Sequence, residues 1–156
     1  MERETFIGNS DAAQDVILLV EDNPSDVRLT REALLKGKAV ERLVVVSDGE
    51  QAIKFLRKRN SHREAPTPVL ILLDLNLPRM DGREVLAEIK GDAELRRIPV
   101  VVLTTSTDDG DVARSYELHA NSYVTKPIEL EKFIEAILSI RDFWLTTATL
   151  PCRPRG

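Results

Sequence analysis

Apolar and polar positions alternate between two rhythms along this chain. Short unbroken apolar runs occur at Val16 to Val20, Leu43 to Val46, Val69 to Leu73 and Ile98 to Leu103. Each is too short for a buried helix, is rich in Val and Ile, and predicts a buried strand. Between the runs, apolar residues recur at helical spacing. Asn23-Pro24 starts the first helix, with Asn as N-cap and Pro in its first turn, and Val27, Ala33 and Leu34 face inward. A second helix follows Ser47-Asp48-Gly49 and turns Ala52, Ile53 and Leu56 inward. A third starts at Asp81-Gly82 and buries Val85, Leu86 and Ile89. A weaker helical pattern spans Asp108 to Leu118, with Val112, Ala113 and Tyr116 as its apolar positions. A fifth strand centres on Tyr123 and Val124, and a last helix runs from about Ile128 to Trp144. Lys58 to Pro68 is polar and proline-bearing, and predicts a loop.

Five strand–helix units without repeats predict one domain over residues 15–145. Residues 1–14 form a flexible leader, and residues 146–156 a C-terminal tail that extends a dimer interface. Right-handed crossovers with helices on both faces give an α/β, doubly wound five-stranded parallel sheet. Its expected strand order is 2-1-3-4-5, with ligands outside the carboxyl ends of strands 1 and 3, where the winding reverses.

Composition narrows the classes. Aliphatic residues dominate and aromatics are only 4% of the 156 residues, which suits a buried parallel sheet. The net charge of −4, with no basic stripe, argues against nucleic acid. The one cysteine, Cys152, excludes an internal disulfide and fits a reducing, cytoplasmic setting. No apolar run is long enough to span a membrane.

The chemistry lies where the strands end. Glu21-Asp22 follow the first apolar run, Asp74 the third, and Lys126-Pro127 the fifth strand. Parallel strands bring these ends to one edge. Two carboxylates about 4 Å apart repel by roughly 4 kcal/mol at an effective dielectric near 20, so three together call for a cation. Oxygen-only ligands favour Mg²⁺ over zinc. Asp22 and Asp74 are the direct ligands, Glu21 acts through a water, and the Asn76 carbonyl supplies another oxygen. Asp74, fixed at the end of the central strand, can attack an electrophilic phosphorus and form an acyl phosphate. Lys126 and the Thr104 hydroxyl would neutralise and hold the transferred group.

In this arrangement the chain resembles the receiver domains of two-component response regulators, a flavodoxin-like family. The resemblance covers Val16 to about Trp144. It rests on Glu21-Asp22, Asp74 with Leu77-Pro78 and Asp81-Gly82, Thr104, Tyr123 and Lys126-Pro127. It implies that Asp74 is the phosphoacceptor, that Glu21, Asp22 and Asp74 form a Mg²⁺ pocket, and that Lys126 contacts the phosphoryl group. It also implies that Thr104 and Tyr123 are a switch pair and that Lys126-Pro127 is cis. His119-Ala120-Asn121-Ser122-Tyr123 and the ending Phe143 to Pro151 resemble the small regulators paired with cyanobacterial phytochromes. That resemblance implies a phytochrome histidine kinase as phosphodonor. The protein is then a phosphoacceptor in signalling rather than a turnover enzyme.

Blander readings compete at each position. Glu21 and Asp22 could be acidity at a strand–helix junction, Tyr123 a core aromatic and Lys126 a solvated lysine; their convergence with Asp74 argues otherwise. His62 and His119 lack ligands at metal spacing, and Arg57, Lys58, Arg59 and Arg63 read as a solvated basic cluster. Among rival classes, an aspartyl phosphatase usually has a second acid two residues after its nucleophile, where this chain has Asn76. A constitutive adaptor would have lost the acceptor or the lysine. A flavin module would need a hydroxyl-rich phosphate loop after the first strand. With no room for an output domain, output is expected through protein contact with an unknown downstream protein. Apolar residues of the last helix, from Leu130 to Trp144, cover an arc of about 220°, against the roughly 100° that one sheet face needs. A homodimer through the fourth helix, fifth strand and fifth helix would use the surplus; a tail folded back over it is the alternative.

Overall fold

The computed structural model describes residues 15–36, 42–58 and 66–151. The expected leader, Arg59, His62, Arg63 and Cys152 lie outside them. Strands β1 (Val16–Val20), β2 (Arg42–Val46), β3 (Leu70–Leu73), β4 (Val100–Thr104) and β5 (Ser122–Thr125) alternate with helices. The helices are α1 (Pro24–Leu35), α2 (Gly49–Leu56), α3 (Gly82–Gly91), α4 (Asp109–Glu117) and α5 (Leu130–Asp142). All pairings are parallel, in the order β2-β1-β3-β4-β5, as expected from the sequence.

Strand periodicity divides the core into two layers. Leu18, Val20, Ile71, Leu73, Val100 and Val102 face α2 and α3, where Ala52, Ile53, Leu56, Val85, Leu86 and Ile89 meet them. Ile17, Leu19, Leu70, Leu72, Val101 and Leu103 face α1 and α5, against Ala33, Leu34, Phe133, Ile137 and Ile140. The three central strands are buried on both faces, which is why they read as unbroken apolar runs.

Helix starts follow local chemistry. Asn23 Oδ1 accepts from the N–H groups of Ser25 and Asp26, and Asp48 Oδ1 accepts from that of Gln51. Asp81 and Glu84 close a capping box on α3. Gly82 has a packing reason to be glycine: a Cβ there would collide with the Asp74 carbonyl oxygen and Leu75 Cα. The α3 N-terminus can therefore lie directly against the end of β3.

Two sequence expectations shift. In α4 the fully buried residue is Ser115, while Ala113 and Tyr116 are exposed and Val112 is half-buried. Tyr116 lies over the sheet edge, where its hydroxyl accepts from the N–H of Tyr123 at 3.2 Å. That bond occupies an N–H on the edge strand. The chain also continues beyond α5. A π-helical turn at Phe143–Thr147 leads into a segment whose Leu150 is only 7% exposed and joins the layer under α1 and α5. Leu145 and Ala148 pack against the same layer. The described part of the tail thus folds back and covers some of the surplus apolar arc, leaving Leu130 and Phe143 exposed.

Truncating Leu150 to Ala should therefore cost about 2–4 kcal/mol, as for a core leucine. Thermal or denaturant unfolding would measure it; a change below about 0.5 kcal/mol, typical of a surface site, would show that the tail is not part of the core.

Candidate functional site

The site is built at the carboxyl edge of the sheet by strand register and side-chain parity. Val20 is paired with Leu73, so Glu21 and Asp74, each one residue further on, lie side by side. Both continue the parity of the residues that face α1 and α5. On β5, Lys126 continues the parity of Val124, which packs on that same layer. The three side chains therefore converge. Backbone bonds fix their bases: Asp74 N–H donates to Val20 O at 3.1 Å, and Lys126 N–H donates to Thr104 O at 2.7 Å.

Lys126, 6% exposed, is the hub. Its ammonium donates to Glu21 Oε1 at 2.6 Å, Asp26 Oδ2 at 2.7 Å and Asp74 Oδ2 at 3.3 Å. Burial alone would lower its pKa, but hydrogen bonds to Asp26 and Glu21 and the nearby carboxylate charges raise it above the usual lysine range. Lys126 is thus a fixed cation. Burial dominates the other way at Glu21, whose pKa is pushed up to about 7 despite its bond to Lys126, with the Asp74 charge adding to the rise.

Glu21, Asp22 and Asp74 each place a carboxylate oxygen within 4.8 Å of the others. Glu21 and Asp74 are buried and Asp22 is exposed, so the cluster is anchored inside and open on one side. Three hard oxygen donors, with one acid held protonatable by burial, suit a hard divalent cation. Asn76 is exposed at this edge, and its N–H donates to Asp74 Oδ1 at 3.3 Å.

Thr104 ends β4 with its Oγ1 fully buried and without a hydrogen-bond partner. A native hydroxyl is rarely left so, because an unpaired buried polar group costs about 1–3 kcal/mol. Tyr123 is half-buried, and its hydroxyl donates to Ser106 O at 3.0 Å, tying β5 to the loop after Thr104. Ser106 Oγ in turn donates to Asp111 Oδ2 at 2.7 Å, and Arg83 donates to Asp111 Oδ1. Ser106 and Arg83 together hold the Asp111 carboxyl below the usual carboxylate range. This chain of bonds links the N-termini of α3 and α4 to Tyr123.

The structure brings Glu21, Asp22, Asp74 and Lys126 to one place, with Thr104 and Tyr123 on the two strands beside it. Asp26 was not foreseen. An acid in the first turn of a helix ordinarily reads as a favourable match to the helix dipole, which hid its second role. The expected cis bond is not found: no cis peptide bond occurs among the described residues, and Lys126-Pro127 is trans. Lys126 reaches all three carboxylates with the bond in this more stable isomer. His119 is exposed and adopts a left-handed backbone (φ 74°) at the end of α4, a helix-terminating role. Arg57 of the basic cluster pairs with Glu88 at 2.8 Å.

The chain is similar to solved and curated proteins over most of its length. It is 52% identical over 136 residues to response regulator Rcp1 of Synechocystis sp., covering 87% of this chain and 92% of that one. The crystal structure of the phosphorylated cyanobacterial phytochrome response regulator RcpA matches with TM-score 0.87 and 51% identity, over 89% of this chain and 99% of that one. The Mn²⁺-bound form of Rcp1 matches with TM-score 0.85 and 51% identity, over 88% and 99%. Residues 17–138 match the family model of the response regulator receiver domain, and with that span and these relatives the chain belongs to the receiver family.

Proposed function

We propose that this protein is a response regulator that takes a phosphoryl group onto Asp74 from a histidine kinase and signals by changing its protein-contact surface. The observation that carries this reading is the Lys126 hub. A buried ammonium lies against the carboxylate at the end of the central strand, beside two further acids and a buried hydroxyl without a partner. The likeness to RcpA and Rcp1 supports a phytochrome as the kinase.

Asp22, Asp74, Glu21 and the Asn76 carbonyl would hold Mg²⁺. Bound there, the ion would offset carboxylate repulsion and neutralise phosphoryl oxygens in the transition state. Asp74 contributes the nucleophile: one carboxylate oxygen bonds to phosphorus as the donor's phosphorus–nitrogen bond breaks, and the imidazole leaves. Lys126 stands 3.3 Å from Asp74 Oδ2 and would bind a phosphoryl oxygen. Thr104 Oγ1 would gain in that group the acceptor it lacks. Its movement would pull on the loop that Tyr123 holds through Ser106 O, passing the change to α4 and β5. We take the output face to be α4, β5 and α5, where Tyr116, Leu130 and Phe143 are exposed, with a homodimer as its first use and the tail beside it. An unidentified downstream protein would read the same face. A phosphoacceptor that turns over only its own phosphoryl group, in the cytoplasm, is the role this implies. No helix among the described residues is long and apolar enough to cross a membrane.

Intact-mass analysis with Mg²⁺ and acetyl phosphate should show one phosphoryl adduct on the wild type and none on Asp74→Asn; an adduct on both would remove Asp74 as acceptor. Tyr116→Glu should lower the dimer fraction in sedimentation, and an unchanged fraction would move the interface elsewhere.

The raised pKa of Glu21 has a definite sign. Relative to its ordinary value of 4.5, a folded value of about 7 means that the proton favours the folded state. That stability is full below about pH 4.5 and is lost as pH rises through about 7. A divalent ion must displace this proton. Mg²⁺ affinity should then rise by up to about tenfold per pH unit below about 7 and level off above it. Titration calorimetry on wild type and Glu21→Gln would test this: the variant should lose the slope, and equal slopes would assign the titration to another group.

A further inference from the structure

A lysine ammonium has three N–H donors. At Lys126 all three are taken, by Glu21, Asp26 and Asp74, and the bonds to Glu21 and Asp26 are the two shortest. A phosphoryl group on Asp74 would bring three strong acceptor oxygens to this ammonium. Loading removes the Asp74 carboxylate charge and frees the longest of the three bonds, but Lys126 stays held by the two shortest, and for it to move onto the phosphoryl oxygens one of those two carboxylates would have to yield. The Glu21 side chain is 3% exposed, so its release would strand a charge in the interior. The Asp26 side chain is 23% exposed, and its release returns a charge to water. Asn23 Oδ1 keeps the Asp26 N–H in place, so the side chain can let go while the helix start stays capped.

We propose that Asp26 is a positioning residue that competes with the bound phosphoryl group for Lys126. It holds the ammonium in the resting state and sets how readily Lys126 moves to the loaded acceptor. The carboxylate opposes loading in two ways: it occupies a donor, and its charge repels the incoming anion. This rests on the reading of Asp74 as acceptor. It gives α1 a direct part in the switch, separate from Thr104 and Tyr123.

Fluoroberyllate, a phosphoryl mimic, tests this at equilibrium under saturating Mg²⁺, with binding to wild type, Asp26→Asn, Asp26→Glu and Asp74→Asn followed by fluorine NMR. Asp26→Asn should bind about tenfold more tightly, the worth of one charge-assisted hydrogen bond. Asp26→Glu, which restores the charge, should return toward the wild-type affinity. Unchanged or weaker binding by Asp26→Asn, with wild type binding normally, would overturn the proposal and leave Asp26 a structural acid. If wild type failed to bind, or Asp74→Asn bound equally well, the acceptor reading itself would fall, and this inference with it.

Discussion

A buried ammonium that must be neutralised by several carboxylates is the constraint on which the site depends. Lys126 could not stay charged among apolar residues without partners, and Glu21 and Asp74 could not sit side by side without a cation. Each group makes the others tolerable. The arrangement is over-acidic as it stands, with Glu21, Asp26 and Asp74 around one lysine and Asp22 nearby. Burial is the main cause of the raised pKa of Glu21, and the neighbouring Asp74 charge adds to the rise against the pull of Lys126. A proton, a metal ion and a phosphoryl group would then all act on one charge balance, and any of them would shift Lys126.

This balance has a geometric origin that was legible in the sequence. Alternation along parallel strands sends Glu21, Asp74 and Lys126 toward one layer once the register Val20–Leu73 is set. Four apolar runs and the segment centred on Tyr123 and Val124 marked the strands, the capping residues Asn23, Asp48, Asp81 and Asp108 marked the starts of the four helices they precede, and the acids at the strand ends marked the site. What escaped came from tertiary placement rather than local pattern. Asp26 looks like any first-turn acid until Lys126 arrives from 100 residues away. The apolar positions of α4 did not reveal that Ser115 is its buried residue, because Tyr116 lies at the sheet edge with its hydroxyl on the Tyr123 N–H. The surplus apolar arc of α5 was visible, and a tail folded back over it was one of two expectations; which residues return to meet it follows from the path of the π-helical turn.

The two strands beside the hub show contrasting states of satisfaction. Tyr123 is fully engaged, with its N–H on Tyr116 and its hydroxyl on Ser106. Two residue pairs further along the β4–β5 ladder, Thr104 keeps a buried hydroxyl without a partner. Ser115 Oγ is likewise buried without a partner, but only Thr104 stands beside Asp74 and Lys126, so under the proposed function the phosphoryl group would supply the acceptor it lacks. The bonds among Ser106, Asp111 and Arg83 tie the loop after Thr104 to the starts of α3 and α4.

The far end of α1 completes the connection. Arg141, near the end of α5, donates to the carbonyl oxygens of Leu34 and Lys36 at the end of α1, the latter at 2.9 Å. The start of α1 is joined to Lys126 through Asp26, and its last turn is joined to α5 through Arg141. A helix of 12 residues is about 18 Å long and nearly rigid, so a change in how Lys126 holds Asp26 acts on a body that already touches α5 and the layer where Leu150 packs. Two bonded connections therefore lead away from the site: one joins β5 through Tyr123 and Ser106 to the start of α4, and the other joins Lys126 through Asp26 and α1 to α5. Both end on elements that carry the exposed Tyr116, Leu130 and Phe143, so under the proposed function a charge rearrangement at the sheet edge would be read as a change of surface.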